Sequence, residues 1–236
     1  GSKDHNKNNK KILLMYKNHR ILAVVTARLG SRRLKQKNIM PILGKKNLLN
    51  WTYEACSKSL YLDKIILSSE SKKIIKIAKK IGFTVPFIRP KHLSKNNVEA
   101  EEPVIHAIKK TKIKYSYVML LQPTSPLRNS IDIDKSIEKI VNNNLKSLIS
   151  ISKSSVMKKF RVSIRKEKYI KLDFDSKKKF SYYLNGAIFI AETNFFLKEK
   201  KFMYSNAGFV FMPESRSIDI DTLKDLKKFK VLIKRK

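Results

Sequence analysis

Two groups of residues in this chain have types and spacing that suit chemistry. One is the aspartate pair Asp219 and Asp221 in MPESRSIDIDT (212–222); the other is a set of cations, Arg28, Arg32, Arg33, Lys35 and Lys37, in TARLGSRRLKQKNI (26–39). On an extended segment residues two apart point the same way, so both acids face one side while Ile218 and Ile220 face the core. Paired carboxylates of that kind suit Mg²⁺, which takes oxygen ligands and keeps several waters. The same stretch also has a plain structural use. Thr222-x-x-Asp225 is a capping-box pattern, and Asp221 could simply flank it. Residue types alone leave both uses open.

The string Ser-Ile-Asp-Ile-Asp also occurs earlier, in RNSIDIDKSIEK (128–139). There Ser130 reads as a helix N-cap, with Ile133, Ile137, Ile140 and Val141 marking the buried face. On a helix, residues two apart point roughly 200° away from one another, so Asp132 and Asp134 cannot readily share an ion. Both instead favour the positive end of the helix dipole.

The cationic loop follows the first apolar run, ILAVVT (21–26), and so stands where α/β sheets bind ligands. Gly30 and Ser31 can bring backbone N–H groups close to phosphate oxygens. Arginine offers a bidentate fork and lysine a compact charge. Neither the P-loop pattern nor the dinucleotide fingerprint is present.

The elements that must position these residues alternate in type. Strands are expected at 21–26, 64–69, 84–88 (weakened by Pro86), 115–121, 147–152, 186–191 and 208–212. Helices are expected at 47–60, 71–82, 100–111, 131–143 and 222–233, with Gly82 stopping the second. QPTSPLR (122–128) is a loop, and the polar, irregular stretch 153–183, with short strands around FRVSI and YIKLDF, interrupts the pattern. Strands alternating with helices predict an α/β fold with a mainly parallel sheet. Residues 1–20 read as a disordered basic tail and 21–236 as one domain.

The 236 residues carry 53 Lys and Arg against 19 Asp and Glu, a net charge of +34. Such a charge attracts any polyanion. The cations are nevertheless spread along the chain, together with abundant Ile and Asn, as coding bias alone would produce. A specific nucleic-acid partner is not expected. A single cysteine, Cys56, excludes an internal disulfide and a cysteine zinc site and suits a reducing cytoplasm. No apolar run near the N-terminus is long enough for a membrane span. Cys56, Trp51 and His106 read as packing residues.

Taken in order, TARLGSRRLKQKNI (26–39), LLQPTSPLR (120–128), LNGAIFI (184–190) and MPESRSIDIDT (212–222) resemble the acylneuraminate cytidylyltransferase family, over about residues 21–233. The resemblance implies a Rossmann-like nucleotidyltransferase domain with a small dimerisation element at 153–185, and hence a homodimer. It implies transfer of CMP from CTP to a 2-keto-3-deoxy nonulosonic acid of sialic, legionaminic or pseudaminic type, with pyrophosphate release and Mg²⁺, for surface glycan synthesis. Carried over position by position, Arg28, Gly30, Ser31, Arg32, Lys37, Asn38 and Arg89 hold the nucleotide. Gln122, Ser125 and Asn185 face the sugar, and Asp219 and Asp221 hold the metal. Lys37 and Asp221 are the candidate catalytic residues, with Asp221 accepting the sugar hydroxyl's proton.

Besides Lys35, which stands where the family usually has a proline, the chain departs from the family pattern in two places. LSKNNVEAEE (93–102) lacks the usual Asp and Ser/Thr residues after the R-P motif. FSYYLNGA (180–187) lacks the arginine that usually precedes Asn-Gly-Ala. A relative that binds nucleotide or nucleic acid by charge, without catalysis, is the alternative these departures leave.

Overall fold

The computed structural model describes residues 15–31, 33–154, 161–172, 181–204 and 206–234. Of the expected tail, residues 1–14 lie outside this set, whereas Tyr16 packs on Tyr61 at 4.7 Å between ring centroids and donates a hydrogen bond to Asn142.

Among the described residues the strands are β1 (Ile21–Thr26), β2 (Lys64–Ser68), β3 (Tyr117–Leu120), β4 (Ser147–Ser154), β5 (Arg161–Arg165), β6 (Tyr169–Leu172), β7 (Ser181–Glu192) and β8 (Gly208–Phe211). They form one sheet in the order β2-β1-β3-β7-β4-β8-β6-β5, and β5 also pairs with β7. The sheet is therefore mixed and largely antiparallel, with a barrel-like closure of its second half, which corrects the expected mainly parallel sheet. Only β1–β2, β1–β3 and β4–β8 run parallel among the described residues. The reason is local. Parallel neighbours need a long crossover, which helices provide between β1, β2 and β3, and which the chain from β5 to β7 and the helix after it provide between β4 and β8. The β5–β6 hairpin has no such connection, and the long β7 runs back between β3 and β4, antiparallel to both. Nor does 84–88 become a strand: only Thr84 bridges to Ile66.

The helices are α1 (Leu48–Ser57), α2 (Lys72–Ile81), α3 (Glu101–Lys110), α4 (Ser130–Asn142), α5 (Thr193–Glu199) and α6 (Leu223–Lys234). Short polar groups fix where they begin. Ser71 accepts a hydrogen bond from the Ile74 N–H at the start of α2, and Gly82 ends that helix at φ +121°. At α4 the cap is Asn129, not Ser130, because Asn129 and Asp132 form a reciprocal capping box. Ile133, Ile137 and Ile140 are all fully buried, each worth about 1.5–3 kcal/mol of burial. Helix α5, not anticipated from the sequence, buries Phe196 against Phe202. Cys56 lies in the core, where burial pushes its thiol up to about 11. His106 packs edge-on against Phe87.

Candidate active site

A cleft opens beyond the C-terminal ends of β1 and β3. One cavity of about 390 Å³ is lined by Thr26, Arg28, Lys37, Asn38, Arg89, the 93–103 stretch, Gln122 to Thr124, Asp219 and Asp221. A second, of about 270 Å³, is lined by Gly30, Ser31, Arg33 and Asn96, and it shares Arg28, Lys37, Asn38 and Asp221 with the first. Four stretches far apart in sequence thus meet at one place.

The capping use of the second SIDID copy is realised, and its acid pair also lines the cleft. Asp225 accepts from the Thr222 N–H at 2.8 Å and its own N–H donates to Thr222 Oγ1 at 3.3 Å, capping α6. Ile218 and Ile220 are buried, while Asp219 and Asp221 line the cleft. The segment belongs to no strand, contrary to the strand-borne pair expected. It follows a 3₁₀ turn after β8, and the Ile220 N–H is held by the Thr124 carbonyl at 2.8 Å.

Asp221 accepts from Lys37 Nζ at 2.6 Å and from Arg33 at 2.8 Å. Lys37, whose side chain is 16% exposed, also donates to the Ile220 carbonyl at 3.3 Å. Solvent reaches Asp219 through the open mouth of the cleft. Enclosure by the cleft wall nevertheless raises its pKa, joined by the negative charge of Asp221, against the opposing Thr124 hydroxyl and Lys37.

The cleft's other wall is built around Glu70. One oxygen accepts from the Leu29 N–H at 2.8 Å; the other takes Arg89 Nη2 at 3.0 Å and the Ser94 hydroxyl at 3.1 Å. Burial raises the Glu70 pKa, but the backbone N–H groups of Leu29 and of Glu70 itself, with Arg89, outweigh it and hold it below its ordinary value. Arg89, 3% exposed, also donates to Ser94 Oγ and the Ala27 carbonyl. Arg28 donates to the carbonyls of Ser94 and Lys95, joining the cationic loop to the 93–103 stretch.

Of the residues singled out in the sequence, Arg28, Lys37, Asn38, Arg89, Gln122, Asp219 and Asp221 converge on the first cavity, and Gly30 and Ser31 on the second. Asn38 donates from its amide to the Arg28 carbonyl at 3.1 Å. Arg32 lies outside the described residues. Ser125 is buried at 1% exposure, away from the cavity lining. Asn185 is also buried. Its amide donates to Ser152 and Ser217 at 3.0 Å each, and its oxygen accepts from Ser150 at 2.6 Å and from the Ala187 N–H at 3.1 Å. Those four bonds use its full capacity, so Asn185 fixes the backbone beside the cleft. Next to it Gly186, at φ +74°, turns β7 past Gln122, whose Oε1 lies 3.5 Å from where a Cβ would stand.

Sequence reasoning missed Glu70 and Thr124. Glu70 carried one signal, an acid at the end of a strand in a chain with few acids. Thr124 carried none, because its role depends on a contact with a segment nearly a hundred residues away.

Among the described residues no group of three or more His, Cys, Asp or Glu could hold a metal ion. Two carboxylates in mutual repulsion still fit Mg²⁺ arriving with a nucleotide, because that ion is commonly bound by one or two carboxylates together with substrate phosphates.

A mixed α/β sheet with a cationic loop after β1, and an acid pair beside that loop, suits an enzyme that transfers nucleotides. The architecture is similar to that of CMP:2-keto-3-deoxy-manno-octonic acid synthetase solved with CTP, with a TM-score of 0.75 at 13% identity over 92% of this chain and 99% of that one. The chain belongs to the cytidylyltransferase family, which matches residues 22–234. It is similar to CMP-N,N'-diacetyllegionaminic acid synthase of Legionella pneumophila, 33% identical over 86% of this chain and 91% of that protein. It is also similar to pseudaminic acid cytidylyltransferase of Campylobacter jejuni, 29% identical over 90% and 96%. Among the described residues no helix is long and apolar enough to cross a membrane.

Proposed function

We propose that this protein transfers CMP from CTP to the anomeric hydroxyl of a 2-keto-3-deoxy nonulosonic acid of pseudaminic, legionaminic or sialic type, releasing pyrophosphate. The observation that most supports this reading is the meeting of Arg28, Lys37 and Asn38 with Gln122 and the Asp219/Asp221 pair around one cavity. The names of the relatives support the sugar class.

In this reading the sugar oxygen attacks the α-phosphorus, the bond from the α-phosphorus to the bridging oxygen breaks, and pyrophosphate leaves with that electron pair. Little covalent work falls to the protein, whose task is alignment and charge. Arg28, Arg33 and Lys37 face the triphosphate, with Gly30 and Ser31 bringing the loop backbone close. Asp219 and Asp221 would hold Mg²⁺, which neutralises phosphate charge when bound. Asp221 is the proposed acceptor of the sugar's proton. Lys37 and Arg33 hold it in the free enzyme, so their attraction to an incoming triphosphate would release it. Gln122 orients the sugar. Arg89, tied to Glu70, shapes the nucleotide wall. A homodimer through 153–185 belongs to the same reading, supported by Phe211, half exposed beside Tyr182.

The test is pyrophosphate release from CTP and Mg²⁺ with each of the three sugar acids, for wild type and Asp221→Asn. Turnover with one sugar, lost in the variant at an unchanged melting temperature, is the expected result. No release with any sugar, together with equal and salt-sensitive binding of CTP, UTP, ATP and GTP, would replace this reading with binding by charge alone.

A further inference from the structure

We infer that Glu99 and Lys95 read the base edge of the nucleotide, with Glu99 accepting a hydrogen bond from the exocyclic amino group of cytosine. This deepens the cytidylyltransferase reading, on which it rests, by assigning the residues that tell CTP from UTP.

The larger cavity has two unlike parts. It shares Arg28, Lys37, Asn38 and Asp221 with the second cavity; the two cations and the Asn38 amide suit phosphate, and Asp221 suits a cation arriving with it. The 93–103 wall belongs almost wholly to the larger cavity and is of a different character. Leu93, Val98, Ala100 and Pro103 offer apolar surface for a flat ring, and Lys95 and Glu99 stand among them.

Cytosine differs from uracil by presenting an N–H₂ donor where uracil has a carbonyl oxygen, and beside it a bare ring nitrogen where uracil has N–H. Reading that difference requires an acceptor next to a donor. Arg89 cannot provide the acceptor, since a guanidinium only donates. Its Nε and Nη2 are in any case committed to Ser94, Glu70 and the Ala27 carbonyl. The Ser94 hydroxyl is likewise engaged, between Arg89 and Glu70. Glu99 is the remaining side-chain acceptor on this wall.

Among the described residues the Glu99 carboxylate has no hydrogen bond or ion pair, in a chain with 53 Lys and Arg. The Lys95 ammonium is also without one, although the Lys95 carbonyl is held by Arg28 and the Val98 N–H. The wall is therefore fixed through its backbone, while the two charged tips stay available to a ligand. A carboxylate accepting from the cytosine amino group is an established mode of base reading. With uracil the same pair faces a carbonyl against the carboxylate and an N–H against the ammonium, so both contacts repel.

The test is equilibrium binding of CTP and UTP to wild type, Glu99→Gln and the control Glu102→Gln, whose exposed side chain does not line the cavity. The triphosphate contribution is common to both nucleotides, so the loss of one negative charge in a variant cancels in the CTP/UTP affinity ratio. Glu99→Gln can turn its N–H₂ toward the uracil carbonyl, and a fall in the ratio of about tenfold or more is expected. Glu102→Gln leaves the ratio unchanged. A Glu99→Gln ratio equal to wild type, where wild type prefers CTP, overturns the inference and leaves the enzyme reading standing. A wild type with no preference overturns both. Glu99 is exposed, so unchanged melting of the variant separates recognition from folding.

Discussion

Arg216 grips Asp132 at two points, Nη2 to Oδ1 at 2.7 Å and Nε to Oδ2 at 3.2 Å, and so ties the first SIDID copy to the second. Asp132, 3% exposed, also accepts from the Asn129 N–H that it caps. Asp134 leaves the opposite side of α4 to accept from Ser59 and the Leu60 N–H. The two acids of the first copy thus go to separate protein partners. That copy anchors the turn from which Asp219 and Asp221 reach the cleft.

Breaking this pair should cost both stability and turnover. Asp132→Ala leaves Arg216 without its partner and removes a cap, an expected loss of about 3 kcal/mol. Arg216→Ala should cost less, because its side chain is 28% exposed. Urea denaturation of both single variants and the double variant measures the coupling. A double variant that simply sums the singles would show the two to be independent.

Lys37→Met should separate chemistry from folding. Its bond to Asp221 is partly exposed, so the stability change should stay within about 1 kcal/mol. Its charge faces the proposed leaving pyrophosphate, and a loss of roughly 100-fold or more in kcat is expected. Steady-state pyrophosphate release alongside a melting curve decides this; near-normal kcat would remove Lys37 from the mechanism.

Acid sensitivity should trace to Glu70. Its pKa is lowered in the folded state, so the stability it gives is fully present above its ordinary value of 4.5 and is lost as pH falls through the folded value. Glu70→Gln should cost about 2 kcal/mol at pH 7, and the difference from wild type should shrink as pH drops below that ordinary value. Denaturant midpoints measured across the acid range test this. A difference that stays constant with pH would mean that the charge is not responsible.

Removing divalent metal with EDTA should stop pyrophosphate release without moving the melting temperature. Asp221 is already paired with Lys37 and Arg33 in the free protein and Asp219 is open to solvent, so neither needs an ion for folding. A large fall in melting temperature on chelation would point instead to a resident structural metal.

The sequence by itself determined most of the local structure. The 3.6-residue period of Ile133, Ile137 and Ile140, the apolar run of β1, and Ser71 and Gly82 at the ends of α2 depend only on neighbours a few residues away. The ordered motifs carried the family and most of the cleft residues. The tertiary structure decided what depends on distant partners. The long return of β7 between β3 and β4 made the sheet mixed, which strand–helix alternation could not reveal, because alternation does not record the direction of a strand inserted later. Asn185 carries a polar amide that could serve a ligand, yet Ser150, Ser152, Ser217 and the Ala187 N–H use all of it. The two identical SIDID strings took different roles for the same reason. One begins a helix whose acids diverge toward Arg216 and Ser59. The other lies beside Thr124 and Lys37, where both acids line the same cleft.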